Sequence, residues 1–137
     1  MPIIELDMLI ALVNRRDKLH HIAKRLFEKI SNESIKNVAI PASALIEYEL
    51  ILRSKGYNED AIRDDIQAFM MINNIREIPL TFKVIINASM LREKYHLTYF
   101  DSLHAASALI HDRTVISVDR CYEKIPNIKL IDPREVV

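Results

Sequence analysis

The chain has 137 residues, half of them hydrophobic, and its 19 basic side chains balance 19 acidic ones. This length and composition are typical of one globular domain with a real apolar core, so we expect a single domain over residues 1–137. A general nucleic-acid binder usually carries a basic excess. The even charge balance therefore limits any contact with phosphates to a local patch or a bound cation.

The chain contains one glycine, Gly56, and one cysteine, Cys121. Neither GxGxxG nor GxxxxGK[ST] fits the sequence, which excludes a Rossmann dehydrogenase and a P-loop NTPase. A lone cysteine excludes an internal disulfide and a zinc site built from four thiolates, and it favours a reducing compartment. Because the start does not read as a signal peptide and no apolar run approaches the roughly 20 residues of a membrane span, we expect a cytoplasmic protein without a membrane partner.

Short apolar runs alternate with stretches of helical spacing along the chain. In chain order the pattern predicts a strand at Pro2–Leu6, helices at Met8–Val13 and His20–Ile30, a strand at Val38–Ile40, helices at Pro41–Arg53 and Glu59–Met71, a strand at Ile75–Leu80, helices at Thr81–Tyr95 and Tyr99–Ile110, and strands at Thr114–Val118 and Lys129–Ile131. Alternation of this kind predicts an α/β fold, a three-layer α/β/α sandwich around a central parallel sheet of about four to five strands. The continuous apolar runs agree, since strands of a covered parallel sheet are buried on both faces.

Local signals mark several helix ends. Gly56 suits a left-handed position after a helix, and Asn58 is a typical N-cap for the next one. The helix that contains Tyr99 can begin through either Thr98 or Asp101.

Two acids stand where ligands bind in open α/β sheets, beyond the carboxyl ends of the strands. Asp7 directly follows the first predicted strand, and Asp119 directly follows the run Thr114–Val118. If these two strands are neighbours in the sheet, their carboxylates converge.

Two further acids fit the same edge. Glu47 lies about two turns into the helix after Val38–Ile40, in strongly apolar surroundings where a charge needs a partner or a metal. Asp101 lies at the start of its helix, and the small side chains of Ala105 and Ala108 leave space beside it.

Four carboxylates held close together need a cation to offset their repulsion. Ligands that are all oxygen favour hard cations, so we expect Mg²⁺ or Mn²⁺. A cation of this kind activates water and neutralises charge on a phosphate, which points to hydrolysis of phosphodiesters.

Four segments of the chain together resemble the PIN domain: Asp7 after its strand, PASALIEYELILRSKG, LTYFDSLHAASAL and VISVD. The resemblance covers nearly the whole chain. Within the PIN family, a short single-domain chain of this kind is similar to the VapC toxin of VapBC toxin–antitoxin pairs. It implies a metal-dependent endoribonuclease with catalytic, metal-binding acids at Asp7, Glu47, Asp101 and Asp119, supported by Ser117 through a hydroxyl or a water. It also implies an RNA substrate, a VapB-like antitoxin and a homodimer. Met8 departs from the family pattern, which usually has a small polar residue after its first aspartate.

Simpler interpretations exist for most of these residues. Asp7 and Asp119 could be helix N-caps, a role that is compatible with metal binding. Glu49 competes with Glu47, but two residues apart on a helix they point about 200° apart, and we prefer Glu47 from its place in the family pattern. We interpret His104 as a hydrogen-bonded structural histidine, because no second His or Cys has ligand spacing.

Aromatic and basic side chains could also contact a nucleic acid. Tyr99 and Phe100 could stack on bases, but packing at a helix start is the simpler explanation. Five arginines are candidates for phosphate contacts that surface solubility explains equally well: Arg15, Arg16, Arg53, Arg113 and Arg120.

Other functions are less well supported. A haloacid-dehalogenase phosphatase needs Asp-x-Asp after its first strand, where this chain has Asp7-Met8-Leu9, and a receiver domain needs an adjacent acidic pair that is absent. Within the PIN family, a degenerate interaction module and a housekeeping RNA-processing nuclease stay open as alternatives.

Overall fold

The computed structural model describes all residues from 1 to 137. Five strands form one sheet: β1 (Ile3–Ile4), β2 (Val38–Pro41), β3 (Ile75–Ile78), β4 (Thr114–Ile116) and β5 (Lys129–Ile131). Their order is β3-β2-β1-β4-β5, and every neighbouring pair is parallel. The predicted parallel sheet is therefore confirmed, and β1 and β4 are neighbours as the convergence of Asp7 and Asp119 requires.

Six α-helices accompany the sheet, and all six were predicted to within a few residues. They are α1 (Leu6–Val13), α2 (His20–Ser31), α3 (Ala42–Ser54), α4 (Glu59–Met70), α5 (Phe82–Tyr95) and α6 (Tyr99–Ile110). Two short 3₁₀ helices, at Arg120–Lys124 and Pro133–Glu135, were not predicted. None of the helices has the length and apolar composition needed to span a bilayer.

Successive residues of the central strands pack on opposite faces of the sheet, as strand geometry dictates. Ile4 and Ile116 belong to the apolar cluster formed with α1, α2, α3 and α4. Ile3 and Val115 belong to the cluster on the other face, which includes side chains of α6. Burial on both faces explains why these strands are apolar without alternation.

The predicted caps are present. Gly56 adopts φ 85°, in the left-handed region. Asn58 Oδ1 accepts from the Ala61 N–H at 2.9 Å. Of the two candidates for the start of α6, Thr98 is the cap, because its hydroxyl accepts from the Asp101 N–H at 3.3 Å. The Asp101 carboxylate therefore does not cap α6.

The ends of the two central strands differ from the prediction. The expectation that Asp7 directly follows β1 is wrong, since β1 ends at Ile4 and Asp7 lies in the first turn of α1. The reason is that Glu5 caps this helix, its Oε1 accepting from the Asp7 N–H at 3.1 Å. β4 likewise ends at Ile116, and Asp119 caps the following 3₁₀ helix.

Candidate active site

An open cleft of about 400 Å³ lies beyond the carboxyl ends of β1 and β4. Six acidic side chains line it: Glu5, Asp7, Asp17, Glu47, Asp101 and Asp119. The structure thus brings together all four acids that the sequence singled out, from α1, α3, α6 and the segment after β4. It adds Glu5 and Asp17, which the sequence analysis did not select.

Asp101 is the common member of two tight groups of ligand-type atoms. Its carboxylate, that of Glu5 and the His104 ring nitrogen lie within 4.8 Å of one another. A second group of the same size contains Asp101, Asp119 and the Cys121 thiol. The carboxylates therefore converge on Asp101 at the start of α6.

Glu47 is held by a histidine from another helix. His104 Nε2 lies 2.8 Å from Glu47 Oε1, and His104 Nδ1 lies 2.7 Å from Ser43 Oγ. A carboxylate only accepts hydrogen bonds, so Nε2 donates to Glu47, and a neutral ring then accepts from the Ser43 hydroxyl at Nδ1. Both ring nitrogens of the fully buried imidazole are engaged, which leaves His104 as a positioning residue for Glu47 rather than a free ligand.

Glu47 and Glu49 face different surroundings. The Glu47 side chain is 20% exposed and lines the cleft. The Glu49 side chain is 38% exposed and pairs with Arg53 at 2.9 Å, away from the other acids. The helical geometry that separates the two side chains leaves only Glu47 available to the site.

Asp7 ties α1 to the segment after β4. Its Oδ2 accepts from the Ser117 hydroxyl and from the Val118 N–H, both at 2.8 Å, and its Oδ1 accepts from the Met8 N–H at 2.7 Å. Ser117 Oγ also accepts from the Asp119 N–H at 2.9 Å. The hydroxyl that was expected to support the site thus links Asp7 to the backbone that carries Asp119.

Met8, the departure from the family pattern, is fully buried in the apolar cluster below α1. Its side chain packs in the core, and only its backbone N–H reaches the site.

Glu5 is the most deeply buried acid of the cleft, with 4% of its surface exposed. The Tyr122 hydroxyl donates to its Oε2 at 2.8 Å. Burial, and then the negative charge of Asp7, raise the pKa of Glu5 to about 9. Burial also raises the pKa of Asp7, although hydrogen bonds to its carboxylate oppose this. Both shifts are the expected response of carboxylates that share a desolvated site without a cation.

The donor set fits a hard divalent cation. Burial and the nearby Asp101 and Asp119 carboxylates raise the pKa of the Cys121 thiol, and a thiol is a poor match for hard cations. With His104 engaged, the available donors are carboxylate oxygens, which suit Mg²⁺ or Mn²⁺ better than zinc. Glu47, Asp101 and Asp119 are among the six acids that line the cleft.

The two aromatic candidates have separate roles. The Phe100 ring stacks on His104 with centroids 6.3 Å apart, which is the packing role expected for it. Tyr99 is exposed, and the Arg92 guanidinium lies 4.9 Å from the centre of its ring. Only Tyr99 is available to a base.

A second cleft, of about 360 Å³, shares Ile10 with the acidic one. Arg15, Arg16 and Lys55 line it together with Asp65, and none of these three cations has a carboxylate within 4.0 Å. By contrast, Arg53 pairs with Glu49 and Glu59. Free cations therefore flank the acidic cleft on the side of α1.

The sequence matches the PIN domain family over residues 7–128. The chain belongs to the PIN domain family. No curated protein matches the sequence.

Solved structures share the fold at low sequence identity. VapC20 from Mycobacterium tuberculosis, a Sarcin-Ricin loop cleaving toxin, has a TM-score of 0.74 and 16% identity over 93% of this chain and 97% of its own. VapBC2 from Rickettsia felis, bound to a DNA fragment from its promoter, has a TM-score of 0.73 and 16% sequence identity, over 94% of this chain and 96% of its own. FitAcB from Neisseria gonorrhoeae has a TM-score of 0.69 and 15% sequence identity, over 98% of this chain and 99% of its own. The overall fold is that of these three structures.

Three features of the site were missed in the sequence. Glu5 stands two residues before Asp7 in an apolar run, and the same argument that selected Glu47, a charge in apolar surroundings, could have found it. Asp17 lies in a polar turn with no distinguishing signal. The contact between His104 and Glu47 spans 57 positions and has no local signature.

Proposed function

We propose that this protein is a divalent-metal-dependent endoribonuclease that hydrolyses RNA phosphodiester bonds in the acidic cleft. The observation that carries the proposal is the convergence of carboxylates on Asp101 at the carboxyl edge of a PIN-family sheet. A cluster of acids that serves no cation would cost stability through mutual repulsion. Of the four acids expected from the sequence, Glu47, Asp101 and Asp119 form the proposed catalytic set, and Asp7 is proposed to position Asp119 through Ser117.

Mg²⁺ or Mn²⁺ is the proposed cofactor, with Glu47, Asp101 and Asp119 as oxygen ligands. A divalent ion at such a site activates water and offsets charge that develops on the phosphate. His104 keeps the Glu47 carboxylate aimed into the cleft, and Asp7 with Ser117 fixes the backbone of Asp119. Catalysis then depends on the positions of these side chains, and displacing one of them by about 1 Å is expected to lower the rate.

The substrate contacts proposed here come from the second cleft and from one aromatic ring. Arg15, Arg16 and Lys55 present unpaired positive charge beside the acids and offer phosphate contacts to a strand that enters the site. Tyr99 offers a stacking surface for a base. A local basic patch reconciles RNA binding with a net charge of zero.

We further propose that the nuclease is the toxin of a toxin–antitoxin pair, with a VapB-like antitoxin as its partner. The support is the shared fold with VapBC2 and FitAcB over nearly the full length of both chains. A housekeeping RNA-processing nuclease is the alternative within the family. A small neighbouring gene for a DNA-binding protein whose product copurifies with this chain would support the toxin. Its absence would favour the processing enzyme.

A homodimer is proposed through α5, whose outer face is apolar. Phe82 is 89% exposed and Met90 is 64% exposed, and Ile85 and Ile86 lie between them on the same face. The opposite face of the helix carries the buried Val84 and Ala88. An apolar stripe of this kind on a soluble helix marks a contact surface.

The nuclease proposal is tested with labelled single-stranded RNA and the matching DNA strand. We expect the purified protein to cut RNA with Mg²⁺ or Mn²⁺, to stop when a chelator is added, and to recover when the metal is restored. RNA left intact under all conditions, without any Mn²⁺-dependent rise in melting temperature, would instead support the degenerate interaction module.

A further inference from the structure

Glu5 occupies an unusual position for a charged residue. It follows β1 directly, caps α1 and lines the acidic cleft, yet only 4% of its surface is exposed. It accepts from two neutral donors, the Tyr122 hydroxyl at 2.8 Å and the Asp7 N–H at 3.1 Å, and its carboxyl group also contacts that of Asp7. No lysine, arginine or histidine forms an ion pair with it. A buried carboxylate without a cationic partner is costly, and a bound cation removes that cost.

Asp7 differs from Glu5 in how its oxygens are used. Two donors on Oδ2, from Ser117 and Val118, fill the positions where that oxygen accepts, and Met8 donates to Oδ1. Neither Asp7 nor Glu47 belongs to the two groups of converging ligand atoms, but the Glu47 carboxylate accepts one hydrogen bond whereas that of Asp7 accepts three. Glu5, by contrast, has a carboxylate oxygen within 4.8 Å of both an Asp101 oxygen and the His104 ring.

We propose that Glu5 supplies the metal-binding carboxylate on the β1 side of the cleft, the place that the sequence assigned to Asp7. Asp7 is a positioning residue that holds the segment from Ser117 to Asp119 against α1. The inference rests on the proposed function, because it concerns the ligands of the same divalent cation.

Tyr122 completes the arrangement from the far side of the site. Its hydroxyl holds Glu5 Oε2, and its fully buried ring packs with Ile3 and Val115 under the sheet. The contact fixes one oxygen of Glu5, while the other stays at the N-terminus of α1 beside Asp7. The Glu5 carboxylate is therefore held in a fixed position before any cation arrives, as binding sites require.

The test is Mn²⁺ binding by calorimetry to metal-free, full-length protein. Glu5→Gln preserves the shape of the side chain and an oxygen for Tyr122, and Asp7→Asn preserves an oxygen for Ser117 and Val118. We expect Glu5→Gln to weaken Mn²⁺ binding by about tenfold or more, as loss of a ligand or its support does, and Asp7→Asn to weaken it by less than about threefold. Asp101→Asn and Glu49→Gln serve as positive and negative controls.

The outcomes distinguish a failure of the ligand role of Glu5 from a failure of the metal site itself. Loss of binding in Asp101→Asn with wild-type affinity in Glu5→Gln would overturn the role of Glu5 and leave the nuclease site standing. An Asp7→Asn loss larger than that of Glu5→Gln would return the ligand role to Asp7. Equal binding in wild type, Asp101→Asn and Glu49→Gln would overturn the metal site itself. If Glu5→Gln fails to fold, Glu5→Asp keeps the charge but withdraws it by one methylene, and the same tenfold loss is expected.

Discussion

His104 Nε2 donates a hydrogen bond to Glu47 Oε1 at 2.8 Å and thereby joins α6 to α3 at the edge of the acidic cleft. The ring is fixed in turn by Ser43 on its other nitrogen and by Phe100 stacked against it. A histidine that we interpreted from the sequence as structural is hydrogen-bonded as expected, but its partner is one of the proposed metal ligands.

The first prediction concerns His104. His104→Ala frees the Glu47 carboxylate to change rotamer, so we expect weaker Mn²⁺ binding and a cleavage rate lower by about 10- to 100-fold. We also expect a loss of about 1–3 kcal/mol in the free energy of unfolding, because the Ser43 hydroxyl is left buried and unpaired. Calorimetry, cleavage kinetics and urea unfolding measure the three effects. An unchanged Mn²⁺ affinity with reduced stability would mean that His104 acts through packing alone.

The second prediction concerns the pH dependence of stability without metal. Glu5 has an ordinary pKa of 4.5 when the chain is unfolded and a pKa of about 9 when it is folded. The folded state therefore binds more protons between these values, and the free energy of unfolding falls as the pH rises from 4.5 to about 9. Glu5→Gln removes this contribution, so its stability relative to wild type should increase with pH.

Urea unfolding in the presence of a chelator, at about pH 6 and about pH 8.5, measures this difference. Glu49→Gln is the control, because its side chain is partly exposed and ion-paired outside the cleft. Identical pH slopes for wild type and Glu5→Gln would contradict the prediction.

The third prediction concerns RNA binding by the free cations near α1. Replacing Arg15 and Arg16 by Ala should weaken RNA binding and lower the dependence of log affinity on log salt by about 1.4, since each of the two phosphate contacts on a single strand contributes about 0.7. The measurement is fluorescence anisotropy in an Asp101→Asn background, which avoids cleavage. Arg63→Ala is the matched control, because Arg63 is paired with Asp60. An equal salt dependence in all variants would remove the two arginines from the RNA path.

The fourth prediction concerns assembly. A Lys in place of Ile86 puts a charge in the middle of the apolar face of α5 and should convert the proposed dimer into a monomer. Light scattering at high micromolar concentration measures the state of wild type and variant. Met70→Lys is the control, since Met70 is an exposed residue on α4. A wild-type monomer at that concentration, or dissociation caused by Met70→Lys, would count against the α5 interface.

Most of the fold could be predicted from the sequence because its signals are local. Short apolar or alternating runs marked the five strands, helical spacing marked the six helices, and Gly56 and Asn58 marked one turn correctly. The end of β1 was misplaced because Leu6 resumes the apolar run after Glu5, and nothing nearby signals that Glu5 caps a helix. The 3₁₀ helix at Arg120–Lys124 was missed because a single turn has too few residues to display a period.

The candidate site was predictable only as a set of acids at one edge of the sheet. Strand order and chain position sufficed to bring Asp7 and Asp119 to the same cleft. The hydrogen bonds that distinguish a ligand from a positioning residue could not be predicted. Tyr122 is 117 positions from Glu5, and Ser117 is 110 positions from Asp7, so these contacts depend on the complete fold.

The most direct test of the account compares Glu47→Gln with Glu49→Gln in the cleavage of labelled single-stranded RNA, with Mg²⁺ or Mn²⁺ and a chelator control. The two substitutions are chemically identical and two residues apart on α3, but only Glu47 faces the cleft. We predict that Glu47→Gln, like Asp101→Asn, lowers the rate by about 100-fold or more, whereas Glu49→Gln stays within about threefold of wild type. Cleavage that persists in Glu47→Gln and Asp101→Asn, or in the presence of the chelator, would contradict a metal-dependent nuclease built from these carboxylates.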